Sequence, residues 1–310
     1  MHFVGIFNQD GGTFRTMDMQ AFAAQASAVF AAAGHALEAR VIAGDDLIGV
    51  LAQVVADRRV EGLLVGGGDG TISAAADACF HSGKPLAVLP AGTMNLFARS
   101  LGVPLDLGEA LAALASGTVR QVDIATANDR PFVHQFAVGI HTRLVRMREQ
   151  LVYRSRMGKI IASGRAILRA VSQPPVFLAD IETARGRERR SATGISVTNN
   201  PIGEGHVPFA DRLDGGVLGV YLLRPLPPLA LARFCIDVVV GHWKHTPEVS
   251  ERAVSSVILS FPRRKRGAHA LIDGELIDLP ERVDLRIHPG ALAVVAPLVV
   301  AADAVEPVAA

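Results

Sequence analysis

Over the first 125 residues, short apolar runs alternate with longer stretches of helical spacing. "FVGIF" (Phe3–Phe7), "LEARVI", "VEGLLV", "PLAVLP" and "RQVDIATA" read as strands. Met17 to Ala33 is alanine-rich with helical spacing and stops at Gly34. Asp45 is positioned to cap a helix running to about Arg58, and Asp106 one that closes at Gly117. Thr71 or Ser73 is positioned to cap a small-residue helix ahead of "AADACF", and "MNLFARSL" reads as a short helix. Strand and helix alternating in this way predict an α/β domain built on a mostly parallel sheet covered by helices.

After about residue 126 the pattern changes. "PFVHQFAV" is strand-like, and a basic, helix-like stretch follows from about His141 to Val171. Then come "VFLADIETA", "SATGISVTNN", "GVLGVYLL", "VSSVILSF", "HALIDGELI", "RVDLRI" and "ALAVVAP". Only "PPLALARFCIDVVVG" interrupts them with a helical pattern. Short strands separated by turn residues predict a β-rich, antiparallel, sandwich-like second domain. The expected division is 1–125, 126–296 and a loose tail over 297–310.

Composition narrows the function classes. The chain has 310 residues, half of them hydrophobic, which is enough for one large or two modest cores. Its net charge of +1 gives no global electrostatic case for nucleic acid. Cys79 and Cys235 lie far apart without metal-ligand spacing, as small buried residues in a reducing, cytoplasmic setting. No uninterrupted apolar stretch of about 18 residues is present, so a membrane span is not expected.

The candidate chemistry lies in three polar glycine loops, each after a predicted strand. "GGGDGTIS" contains Gly67, Gly68, Asp69, Gly70, Thr71 and Ser73. "PAGTMN" contains Gly92, Thr93 and Asn95, and "NQDGGT" contains Asn8. In a parallel sheet all three open at the carboxyl edge, where ligands bind. A helix N-terminus there offers amides and partial positive charge to phosphate. The lysine of a Walker loop is absent, and the dinucleotide glycine spacing fails. Glycines alone leave a ligand-free turn at even odds. Asp69 is the only carboxylate in its loop, with three roles open: magnesium through water, a network to the base, or fixing the turn.

"GGGDGT" followed about twenty residues later by "PAGTMNLFARSLGVP" resembles the diacylglycerol kinase catalytic family, close to bacterial soluble lipid kinases related to sphingosine kinases. The first motif is shared with NAD kinases, and the second is more discriminating. "SVTNNPIGEGHVPFADRLDGGVLGVYLLRP" and "LIDGELIDLP" extend the resemblance through the chain. It implies ATP and Mg2+ as cofactors, with the Gly68–Ser73 loop and Thr93 on the phosphates and Asn95 shaping the site. It implies Glu275 of the Asp-Gly-Glu motif as the base that takes the substrate hydroxyl's proton. It also implies a structural magnesium site at Asp214, with contributions from Asp211 and Gly216. Read by themselves, Asp273-Gly274 and "LDGG" are hairpin turns, although an oxygen-rich turn can also hold a hard cation.

Between Tyr153 and Val171 the apolar residues fall on one arc, and Arg154, Arg156, Lys159, Arg165 and Arg169 on the rest. Such a helix either packs on the sheet with a solvated basic face or lies on an anionic bilayer. "PRRKRG" (Pro262–Gly267) adds to the same surface. The expected partners are a lipid alcohol and the inner face of the membrane, visited transiently, with a homodimer compatible and no nucleic acid. The expected activity is phosphorylation of a hydroxyl of diacylglycerol or a related lipid. An NAD-kinase-like phosphotransferase and a non-catalytic nucleotide- or lipid-binding protein are the rival readings.

Overall fold

The computed structural model describes residues 1–149, 174–204, 207–241, 243 and 246–298. Its first half follows the alternation of the sequence. Strands β1 (His2–Asn8), β2 (Ala36–Ile42), β3 (Gly62–Gly67) and β4 (Leu86–Pro90) pair in parallel in the order β2-β1-β3-β4. Parallel strands need crossovers, supplied by helices α1 (Met19–Ala32), α2 (Leu47–Ala56) and α3 (Asp69–Ser82). α4 (Leu96–Ser100) and α5 (Leu107–Ala115) follow β4.

Local chemistry sets the helix ends. The Asp18 carboxylate accepts from the amides of Gln20 and Ala21, and Asp106 does the same for Gly108 and Glu109, as expected for α5. Two expected caps are corrected. α2 starts at Leu47 after a 3-10 turn, Gly44–Asp46, with no side-chain cap, so Asp45 does not serve. α3 starts at Asp69 behind Gly68, placing Thr71 and Ser73 inside the helix rather than ahead of it. An acidic residue in the first turn already suits the positive end of the helix, and its glycines can be helical without a hydroxyl cap.

The second half begins with β5 (Thr118–Ala127), β6 (Arg130–Phe132), β7 (Gln135–Gly139) and α6 (Ile140–Glu149). The basic stretch expected at 153–171 lies outside the described residues. β8 (Phe177–Thr183), β9 (Gly186–Ala192), β10 (Gly194–Asn199) and β11 (Leu218–Leu223) follow, then α7 (Pro228–Val240). The last strands are β12 (Val249–Val254), β13 (Ser256–Ser260), β14 (His269–Ile272), β15 (Glu275–Asp278) and β16 (Arg282–Ala296).

A six-stranded antiparallel sheet, β12-β11-β10-β7-β14-β15, faces the antiparallel end of the larger sheet. Inward residues of both, among them Phe136, Val138, Ile195 and Val197 from one and Ile181, Leu259 and Leu285 from the other, share one core. This is the sandwich arrangement, with alternate residues of each strand turned inward. Among the described residues no helix is long and apolar enough to cross a membrane.

The two halves are joined through β16. Its first part pairs with β13, and its last residues pair in parallel with β4. β5 runs antiparallel along most of it, with a register shift between His288 and Leu292. Leu285 and Ile287 enter the sandwich core, whereas Leu292, Val294 and Val295 enter the core of the parallel sheet. Burying each of those last three side chains stabilises the first core by about 1.5–3 kcal/mol. The change of pattern at residue 126 therefore falls within β5, and the chain returns at its end to complete the sheet it began with. Local periodicity registers the change of strand pattern but not the partner a distant strand will choose.

Candidate active site

The glycine loops stand together at the carboxyl ends of β1, β3 and β4. Backbone bonds tie them to one another: Thr13 N–H donates to Ala91 O at 2.9 Å, and Ala91 N–H to Gly67 O at 3.2 Å. Gly92 packs so closely that a Cβ there would stand 2.7 Å from Gly68 Cα, so this position admits no side chain without moving backbone.

Side chains complete the lacing. Asn95 has φ 51°, a left-handed conformation that asparagine tolerates. Its amide oxygen accepts from Gly92 N–H at 2.8 Å, and its amide nitrogen donates to Gly92 O at 3.0 Å. Asp69 accepts from Leu96 N–H at 2.7 Å and from Asn95 N–H at 3.2 Å. One carboxylate thus caps α4 from the neighbouring loop and pins the second glycine loop to the first. Of the three roles open to Asp69, this geometry is that of the residue that fixes the loops. Asn8 donates to Thr71 Oγ1 at 3.0 Å, bringing in the loop after β1. Thr93 is exposed.

The first turn of α3 has no side-chain cap, so its leading amides are open to an anion. Gly70 is exposed, with nothing within 4 Å of the position of a Cβ. An uncapped turn beside open space fits a phosphate group bound through backbone N–H donors.

Ser73 faces the other way. Its hydroxyl donates to Asp273 Oδ2 at 2.7 Å, linking residues 200 apart across the two halves. Asp273 also accepts from the amides of Val133, His134 and Gln135, each at 2.9 Å. With φ 47° at Asp273 and 87° at Gly274, the pair forms the two-residue turn between β14 and β15. Positive φ at both positions marks a type I′ turn. The Asp-Gly pair is therefore a hairpin turn, and its carboxylate is also the clamp between the halves.

Between these elements lies a cavity of about 440 Å³. Asp69, His134, Gln135 and Asp273 form its polar wall, and Met94, Leu96, Phe97, Val133 and Val145 its apolar one. Burial pushes the His134 imidazole below its ordinary value, while the Asp273 and Asp69 carboxylates pull the other way. Burial, with the His134 charge beside it, holds His141 on α6 down at about 4.

Glu275 is not among the residues lining this cavity. Its side chain is 66% exposed and ion-paired with Arg130. Asp211, Asp214 and Gly216 are not drawn into a metal site either. The exposed Asp214 pairs with Arg212, Asp211 accepts from Glu204 N–H, and Gly216 N–H donates to Asp123. Among the described residues no group of three or more His, Cys, Asp or Glu side chains could hold a metal ion. The turn is organised instead by Asp123, 2% exposed, which accepts from Gly216 and Gly290. Asp123 and His134 were not singled out from the sequence. The signal for His134 was a His-Gln pair interrupting the apolar run "PFVHQFAV".

Comparison with known proteins gives the same direction. Residues 2–127 match the model of the diacylglycerol kinase catalytic domain. A protein described as a probable lipid kinase YegS-like from Klebsiella pneumoniae is 42% identical over 27% of this chain and 30% of its own length. Its namesake in Pseudomonas aeruginosa strain UCBPP-PA14 is 30% identical over 53% of this chain and 55% of its own. An uncharacterised protein of Synechocystis is 25% identical over 76% of this chain, again 55% of its own. The chain thus spans about half, or less, of the curated relatives it matches. A solved diacylglycerol kinase of Bacillus anthracis superposes with a TM-score of 0.71 at 17% identity, over 96% of this chain and 97% of that one, a likeness of fold. Over residues 2–127 the chain is similar to the diacylglycerol kinase catalytic domain.

Proposed function

We propose that this protein is an ATP-dependent lipid kinase that transfers a phosphoryl group to the hydroxyl of diacylglycerol or a related lipid alcohol. The observation that carries the reading is the cavity between the two halves, which the Ser73–Asp273 hydrogen bond joins. It sets the uncapped glycine loop of a kinase family domain against an amphipathic wall from the second half.

Phosphoryl transfer needs a cradle for phosphate oxygens, positioning of the acceptor and a destination for its proton. The open amides of Asp69, Gly70 and Thr71 would hold phosphate oxygens, with Asn95 and Asp69 keeping the loops in register. ATP would supply the phosphoryl group there. Mg2+ is usually carried on the nucleotide phosphates with only one or two protein oxygens. The Asp211–Asp214–Gly216 turn does not fit a protein-held ion, and no step is assigned to it. Met94, Leu96 and Phe97 would take the apolar flank of the lipid, leaving its hydroxyl toward the polar wall. For Glu275 to act as base, its carboxylate must leave Arg130 and turn into the cavity.

The test is transfer of labelled phosphate from ATP to a panel of lipid alcohols in mixed micelles, with NAD alongside. A phosphorylated lipid is expected, and label on NAD alone would overturn the reading. Contact with an anionic bilayer is proposed as well, because Arg263, Arg264, Lys265 and Arg266 are exposed and carry no ion pair among the described residues. Juxtamembrane Lys and Arg each contribute about 1 kcal/mol at an anionic surface. Co-sedimentation with phosphatidylserine vesicles at low salt and release at high salt are expected. Equal binding to neutral vesicles would refute the contact.

A further inference from the structure

β9 is the last strand of the larger sheet and β12 the last of the smaller one, and the Arg252–Glu188 ion pair joins the two edges. A cavity of about 340 Å³ opens between them and shares no lining residue with the candidate active site. Side chains alternate across a strand, so the core residues fix which of their neighbours turn inward. Glu188 stands opposite Ile181, Arg252 opposite Val220 and Ser250 opposite Leu222, and those three apolar partners belong to the sandwich core. Arg190, two residues beyond Glu188, turns to the same face, and Arg224, two beyond Leu222, lines the same cavity. The sandwich is thus lined at this edge by guanidinium groups where its middle is closed by apolar side chains.

The charges do not balance. Glu188 is the single carboxylate among the described lining residues, and it is shared by Arg190, at 2.7 Å, and Arg252. Burial works to raise its carboxyl, but the guanidinium groups of Arg252 and Arg190 outweigh that and hold it below its ordinary value, so it is ionised near pH 7. Arg189 is committed elsewhere, to Asp180 at 2.6 Å. Arg224 is exposed and has no side-chain hydrogen bond or ion pair among the described residues. Arg190, Arg224 and Arg252 therefore meet one carboxylate, an excess of two positive charges. Inward-pointing charges on edge strands also keep a sheet from pairing with another copy. That purpose is served by either sign and by balanced pairs, whereas a one-signed excess around open space is the complement of an anion. A guanidinium fork matches phosphate oxygens in two parallel bonds, and the Ser250 hydroxyl adds a donor to the same wall.

We propose that this cavity is a second anion site, which binds a phosphate group through Arg190, Arg224 and Arg252. No residue of the glycine loops takes part, so the site stands apart from the kinase reading. The phosphate is carried by an acidic phospholipid headgroup or by a small phosphate in solution, and both present the same oxygens. Ser191 lines this cavity and also a neighbouring one of about 690 Å³, whose lining includes Arg263, Arg264 and Lys265. A headgroup held here would therefore lie on the flank of the molecule that carries the exposed basic loop. On binding, Arg190 and Arg252 exchange part of their bonding to Glu188 for phosphate, and Arg224 gains a partner.

The experiment compares the full chain with Arg224→Gln and Arg190→Gln in two arms, with melting curves for each protein. In one arm inorganic phosphate is titrated by calorimetry. In the other the protein is floated with phosphatidylcholine vesicles containing phosphatidic acid, beside vesicles brought to the same surface charge with a fatty acid. Each variant is expected to bind phosphate about tenfold more weakly, as for one lost hydrogen bond to a charged group. A loss in the calorimetric arm assigns the site to a soluble phosphate, and a loss confined to phosphatidic acid vesicles assigns it to the headgroup. If Arg190→Gln lowers the melting temperature by releasing Glu188, Arg224→Gln carries the comparison, because no ion pair is broken there. Absence of binding, or affinities within about twofold of wild type in both arms, overturns the proposal. An equal loss on fatty-acid vesicles overturns it too, since the arginines would then contribute surface charge without recognising phosphate.

Discussion

Asp69 shows what one side chain does for two loops. Its two oxygens accept from the amides of Leu96 and Asn95, 27 and 26 residues away. Asp69→Asn replaces one acceptor by an NH2 group aimed at an amide donor. The expected loss is about 1–3 kcal/mol, a fall in melting temperature of several degrees, with weaker ATP binding by titration calorimetry. An unchanged melting curve would deny the lacing. The sequence gives the aspartate and its loop but not this role, because the bond joins loops brought together only by the order of the sheet. His134 escaped notice for a related reason. A lone histidine in an apolar strand reads as a core residue until the cavity is visible.

At the scale of elements, the strand–helix alternation of the first half and the short strands of the second were legible, since burial of one face imposes periods of 3.6 and 2. The Asp273-Gly274 turn was legible as a turn, but the four hydrogen bonds its carboxylate accepts were not. Turn chemistry is local, and those donors come from two other elements.

The junction of β7 and α6 carries a pH dependence. His141 Nδ1 is buried without a partner, and its pKa is depressed from 6.5 to about 4. On acidification the unfolded chain takes up this proton first. The contribution of the neutral ring is therefore fully present above about pH 6.5 and is lost as the pH falls toward 4. Denaturant midpoints measured between pH 7 and 4.5 are expected to decline less for His141→Gln than for wild type. Parallel declines would place the acid sensitivity elsewhere.

For the whole molecule, β16 matters most. It enters both cores, bringing the loops of the parallel sheet and the β14–β15 turn to one cleft. Composition and motifs pointed to a nucleotide site facing a β-rich partner, and the resemblance named the chemistry. The interleaving of the halves was hidden, because nothing local to residues 292–296 distinguishes a strand of the sandwich from one of the parallel sheet.

The central claim is that the uncapped turn of α3 is an ATP site. Gly70 tests it most directly, because a Cβ there meets nothing within 4 Å beyond its own helix turn and glycine is the weaker helix former. Titration calorimetry of wild type and Gly70→Leu with ATP and Mg2+ gives the measurement. Saturable binding is predicted for wild type, and at least a tenfold loss for Gly70→Leu at an unchanged or higher melting temperature. Equal ATP affinity in the two proteins would contradict it.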